Sequence, residues 1–188
     1  MHYRRALVPG GTYFFTVNLA DRRADLLVRH IEEFRQVLGK VKRLHPLYLV
    51  AMAVMPDHLH TIWRLPEGDA DYPMRWALIK AGFSRRLAAV ERVRQSRKAK
   101  RERGIWQRRY WEHQIRDEAD LARHVDYIHY NAVKHGLVAR PADWPHSTLH
   151  AYIERGLVAP DWGASASDIG SGYGERLDVG LPSSAQPT

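Results

Sequence analysis

The sequence contains no cysteine, so neither a disulfide nor a thiolate metal site can form, and a reducing cytoplasm is the expected setting. No apolar run approaches the ~20 residues that span a bilayer. The N-terminus, Met1-His2-Tyr3-Arg4-Arg5, shows no apolar segment or small-residue cleavage site of a signal peptide. Acids are scarce: 21 Asp and Glu face 29 Lys and Arg, a formal net charge of +8 over 188 residues. These shortages argue against a secreted disulfide scaffold and a helical membrane protein, and the basic surplus favours nucleic acid or another polyanion as partner. With 45% hydrophobic residues, the chain suits one globular domain with a real core. That domain is expected over 1–162. Residues 163–188 turn to Gly, Ser, Ala and Pro and read as a weakly ordered tail.

What is present falls into a simple order. Tyr13 to Leu19 follows the turn-forming Pro9-Gly10-Gly11 and reads as a strand with Tyr13, Phe15, Val17 and Leu19 on its more apolar face. Ile31, Phe34, Leu38 and Val41 recur at helical spacing from about His30 to Leu44. Leu47 to Met55 is apolar on both alternations, as in a central strand covered on both sides. Pro56-Asp57 turns it into a second strand, giving an antiparallel hairpin. A helix begins near Pro73, with Trp76, Ile79, Phe83, Leu87 and Val90 as its buried stripe. The aromatic stretch Trp106 to Ile115 suits a further strand. Acids from Asp117 and a glycine at Gly136 bracket a last helix with Leu121, Val125, Ile128 and Ala132 as its core stripe. Strand, helix, two strands, helix, strand predicts an α+β, ferredoxin-like antiparallel sheet with helices on one face, plus an additional tyrosine-bearing helix.

Two stretches carry chemistry. In Met55-Pro56-Asp57-His58-Leu59-His60-Thr61-Ile62-Trp63, the i, i+2 spacing puts His58 and His60 on one face of a strand, converging two imidazoles on one point. The pair alone is weak, since 11 histidines in 188 residues give about 0.6 such pairs by chance, and two ordinary strand histidines would look the same. On the last helix Tyr127, Asn131 and Lys134 share one face at i, i+4 and i+7. They could equally be a tyrosine packed at the core edge with polar neighbours. A third feature is charge: Arg85 to Arg109 holds eleven basic residues and only Glu91 and Glu102 as acids, more than internal pairing absorbs.

Together these blocks resemble the single-tyrosine transposases of the HUH superfamily, and in particular the REP-associated tyrosine transposases, over Arg4 to Trp162. The resemblance rests on Gly10-Gly11-Thr12-Tyr13-Phe14-Phe15-Thr16-Val17-Asn18, Met55-Pro56-Asp57-His58-Leu59-His60 and Trp106-Gln107-Arg108-Arg109-Tyr110-Trp111-Glu112-His113. It extends to Asp126-Tyr127-Ile128-His129-Tyr130-Asn131, Lys134-His135-Gly136-Leu137-Val138 and Trp144-Pro145. It implies that His58 and His60 bind a catalytic metal, that Asn131 is a third, amide-type ligand, and that Tyr127 is the nucleophile. The implied product is a 5′-phosphotyrosine and a free 3′-hydroxyl on single-stranded DNA flanking hairpin-forming repeats, made by a bacterial monomer or homodimer. Two imidazoles and an amide without thiolate favour Mg²⁺ or Mn²⁺ over structural zinc. Candidate DNA contacts are Arg4, Arg5, Lys80, Arg85, Arg86, Arg97, Lys98, Lys100, Arg101 and Lys134. One departure is Ala132, where relatives usually carry proline. Proline would remove a hydrogen bond and kink the helix, so alanine is expected to straighten it and shift Asn131.

Two other classes compete: an inert module that binds single-stranded DNA or RNA, and a metal-dependent phosphodiesterase that activates water. The charge run yields a first prediction. Replacing Arg97, Lys98, Lys100 and Arg101 by Gln should flatten the salt dependence of DNA affinity, because a protein that neutralises fewer phosphates releases fewer counterions on binding. An unchanged slope in a salt titration would move the contacts elsewhere, for example to Arg4 and Arg5.

Overall fold

A computed structural model of the chain describes residues 7–88 and 103–164. The sheet has four antiparallel strands: β1 (Thr12–Asn18), β2 (Tyr48–Val54), β3 (His58–Arg64) and β4 (Trp111–Gln114), in the order β2-β3-β1-β4. This is the ferredoxin-like order expected from the sequence. A short helix α1 (Leu26–Arg29) leads into α2 (Ile31–Leu44), and α3 (Tyr72–Arg86) follows β3. Helix α4 (Glu118–Lys134) follows β4, and a small α5 (Leu149–Glu154) comes last.

Alternation along each strand sorts side chains between two cores. On one face Tyr13, Phe15, Val17, Leu59 and Trp63 pack under α2 and α3, where Trp63 stacks on Trp76 at 4.2 Å between ring centroids. On the other face Phe14, Ala51, Ala53 and Ile62 receive Tyr127, Ile128 and Ala132 of α4. The alanines on both sides let helix and sheet approach closely. The additional tyrosine-bearing helix thus covers that second face. Helix α4 is bracketed as the sequence suggests: the Asp117 carboxylate accepts from the Asp120 N–H, Lys134 lies in the last turn, and Gly136 takes a positive φ of 66°. It runs unbroken through Ala132, whose side chain is buried in the second core.

Two expectations need correction. Strand β2 is apolar on both sides yet lies at the edge of the sheet, not at its centre. Its outer edge is satisfied by the segment after Asp143. Val54 N–H donates to His146 O (2.9 Å), Thr148 N–H to Met52 O (2.8 Å), and Trp144 Nε1 to Val54 O (3.0 Å). That cover protects an apolar edge which would otherwise pair with other chains. The predicted strand over Trp106 to Ile115 is interrupted: Trp106 makes an isolated bridge to Leu19, and regular pairing begins only at Trp111. Val90 of the predicted α3 stripe lies outside the described residues. Arg75, which no sequence pattern singles out, is buried at the start of α3. It grips Asp69 through both terminal nitrogens (3.1 and 2.6 Å) and donates to the carbonyls of His45, Pro46 and Asp71.

His129 joins α4 to the C-terminal segment, with its Nε2 3.0 Å from Thr148 Oγ1, and burial holds its imidazole down at about 4. Because the folded value lies below the unfolded one, its stabilisation is complete above ~6.5 and is lost as pH falls toward about 4. Full protonation costs on the order of 3 kcal/mol. The midpoint of thermal unfolding should drop across that window, and His129→Gln should shallow the drop. A pH-independent midpoint between 7 and 4 would contradict this.

Candidate active site

The antiparallel pairing of β1 with β3 places Thr16 opposite His60 and Asn18 opposite His58, so these side chains share the face that α4 covers. The histidine rings lie 5.0 Å apart, centroid to centroid, nearly perpendicular. Each is held by its Nδ1. His58 Nδ1 is 2.7 Å from Asp57 Oδ1, and His60 Nδ1 is 2.9 Å from Thr16 Oγ1. Asp57 is fixed in turn by Arg22, Nε to Oδ2 2.6 Å, and its carbonyl accepts from Leu19 N–H. A carboxylate on Nδ1 sets the tautomer of His58 and leaves Nε2 with the lone pair.

Both imidazoles are kept neutral. For His58, burial lowers the pKa more than the Asp57 carboxylate raises it. For His60, burial comes first; a proton there would also be opposed by its neighbours His58, His135, Lys134 and Arg22, and its pKa lies well below the ordinary imidazole range. Neutral rings are the form a metal requires, and the surrounding cations suit an anionic substrate.

Helix α4 brings Tyr127 over this face. Its ring lies 5.1 Å from that of His60, and Lys134 Nζ sits 4.7 Å from its centroid. One turn on, Asn131 is fully buried beside His58. Neither its amide oxygen nor its nitrogen finds a partner of good hydrogen-bond geometry. A buried amide left in that state is unusual and costly. Two imidazoles and a buried amide without a well-aligned partner form the donor set expected of a small oxygen- and nitrogen-seeking divalent cation, so these residues fit Mg²⁺ or Mn²⁺. Tyr130, the competing tyrosine, has its ring beside Gly163.

The structure thus brings His58, His60, Tyr127, Asn131 and Lys134 together. It adds Thr16, Asp57, Arg22 and His135, which sequence patterns do not mark as site residues. His135 closes α4 with its ring 4.8 Å from that of His58. Strand register could have pointed to Thr16, and adjacency to His58 could have pointed to Asp57. Arg22 carries no motif, and His135 reads simply as a helix end. The DNA-contact candidates separate. Lys80 points into the helix-packed side, donating to Gln107 O at 3.0 Å beneath Tyr110 and Trp106. Arg86 bonds Gln36, and Arg85 is exposed. Arg4, Arg5, Arg97, Lys98, Lys100 and Arg101 lie outside the described residues.

A tyrosine facing a strand-borne histidine pair on a ferredoxin-like sheet defines a class, and sequence comparison agrees. The model of the family described as "Transposase IS200 like" matches residues 11–131, and the chain belongs to that family of transposases. Within it, the chain is similar to the REP-associated tyrosine transposase of Escherichia coli (strain K12), 44% identical over 175 residues that cover 93% of this chain and 97% of the relative. A protein of Haemophilus influenzae (strain Rd) is 44% identical over 165 residues, 87% of this chain and 94% of the relative. A solved structure of a REP-associated tyrosine transposase bound to a REP hairpin superposes with a TM-score of 0.76 at 43% identity, covering 92% of this chain and 97% of that one.

The hydrogen bond from Asp57 to His58 generates a prediction. Asp57→Ala should weaken divalent-metal affinity by roughly 10- to 100-fold, the usual cost of removing a partner that orients a ligand. Calorimetric titration with Mn²⁺ measures it, and unchanged affinity in a folded variant would remove Asp57 from the site.

Proposed function

We propose that this transposase cuts and rejoins single-stranded DNA beside a hairpin of the REP type, with Tyr127 as nucleophile. The observation carrying this reading is the approach of the Tyr127 ring to His60 beneath the Lys134 ammonium. The hairpin substrate follows from the likeness to the hairpin-bound relative.

In the proposed reaction the Tyr127 oxygen attacks the scissile phosphorus. A phosphorus–oxygen bond to tyrosine forms as the bond to the 3′ oxygen breaks. The phenolic proton leaves with the departing alkoxide, giving a 3′-hydroxyl and a 5′-phosphotyrosine. The ester retains the energy of the broken bond, so a second 3′-hydroxyl can reverse the step and join a new strand. His58, His60 and Asn131 would hold a divalent cation, which supplies Lewis-acid neutralisation of charge on the phosphate. Lys134 places a further positive charge beside the phenol, and the packing of Phe14 against Tyr127 fixes the ring before substrate arrives.

His58→Ala and His60→Ala should each lose nicking of labelled hairpin DNA while binding survives, since affinity rests on basic contacts to phosphates. Tyr127→Phe should also lose nicking with folding and binding intact, because one oxygen is removed and the ring remains. Nicking by Tyr127→Phe at the wild-type rate would favour water activation. Binding without nicking in the wild type, across several divalent metals, would favour a plain binding module.

A further inference from the structure

Strand β4 carries an exposed tryptophan on the catalytic face of the sheet. Thr16 pairs with His60 on one side and with Trp111 on the other. His60, Thr16 and Trp111 therefore form one row across three strands. At ~4.8 Å per strand, Trp111 stands ~10 Å from His60. That distance is the length of about three stacked nucleotides at ~3.4 Å each. Trp111 is 49% exposed, in a molecule whose other tryptophans of the sheet and α3, Trp63 and Trp76, are sealed in the core.

The indole is braced from behind. His113, two residues on and on the same face, lies parallel to it within 6°, with centroids 5.9 Å apart. His124 of α4 stacks on His113 at 4.8 Å and 15°. The Phe14 ring meets Trp111 edge-on at 5.5 Å and also touches His60 and Tyr127, so the aromatic strip runs without a gap into the catalytic face. Asp120 anchors the brace: its carboxylate lies 2.8 Å from His113 Nε2 and 3.2 Å from His124 Nδ1, and accepts from the Arg116 N–H.

His113, Asp120 and His124 also bring ligand atoms within 4.8 Å of one another, as a metal site would. In this structure the Asp120 carboxylate itself contacts both ring nitrogens and holds the two rings in place.

We infer that Trp111 is a stacking platform for a nucleobase of the single-stranded DNA flanking the hairpin, within about three nucleotides of the scissile phosphate. This rests on the reading of the chain as a single-strand nuclease. An aromatic face accepts any base, and phosphate contacts hold the backbone alongside, so the platform sets how far along the strand cleavage falls without reading sequence. Cationic groups near the site, Arg22 and Lys134, supply the matching charge.

The test uses the full chain and hairpin DNA carrying a single-stranded flank, with single abasic sites placed at successive flank positions. Wild-type protein should lose about ten-fold in affinity at one position within three nucleotides of the cut. Trp111→Ala should bind intact DNA about ten-fold more weakly and become indifferent to that abasic site. Trp111→Tyr, which keeps a stacking ring, should restore most of the affinity. A flat abasic scan with unaltered protein overturns the platform and leaves the nuclease reading standing. So does a folded Trp111→Ala variant with unchanged affinity. Failure of the wild type to bind any single-stranded flank overturns both.

Discussion

The register of β3 against β1 is the constraint on which the site depends. Side chains alternate strictly along a strand, so a slip of one residue would turn His58 and His60 into the α2 and α3 core and bring Leu59 and Trp63 out. Several things forbid the slip at once. Trp63 stacks on Trp76 in one core while Ile62 fills the other, and the Thr16–His60 hydrogen bond exists only in this pairing. Functional placement is thus a by-product of apolar burial: the same alternation that seals two cores aims two imidazoles at one helix.

Helix α4 then does two jobs on one face. Ile128 and Ala132 dock it on Phe14, Ala51, Ala53 and Ile62, while Tyr127 and Asn131, one turn apart, are carried over the histidines by the same docking. Burying an amide without good partners opposes folding. That cost is understandable if Asn131 completes a donor set with two neutral imidazoles. The fixed charges around the rings are positive, from Arg22 and Lys134, which suits a phosphate.

Much of this is legible in the sequence because it is local. Period-two and period-3.6 patterns mark the strands and helices, and spacing puts His58 with His60 and Tyr127 with Asn131. What escapes depends on lateral pairing across long separations. Strand β2 looks central because both faces are apolar, and only the Trp144–Thr148 segment, some ninety residues later, shows how an edge can be apolar. Lys80 reads as a DNA contact on charge alone, yet its ammonium is engaged by the Gln107 carbonyl between strand and helix. Trp111 sits in the same row as His60 only because β4 pairs with β1, which no motif announces. The resemblance to single-tyrosine transposases carries the assignment of roles that periodicity cannot supply, and family membership supports the class it implies.

The central question is which atom bonds to phosphorus. Trapping the reaction of the unaltered protein with hairpin DNA, digesting the covalent product and sequencing the peptide by mass spectrometry identifies that atom directly. A nucleotide attached through its 5′ phosphate to Tyr127 is the predicted result. A nucleotide on Tyr130, whose ring lies beside Gly163, or cleaved DNA with no adduct at all, would contradict it.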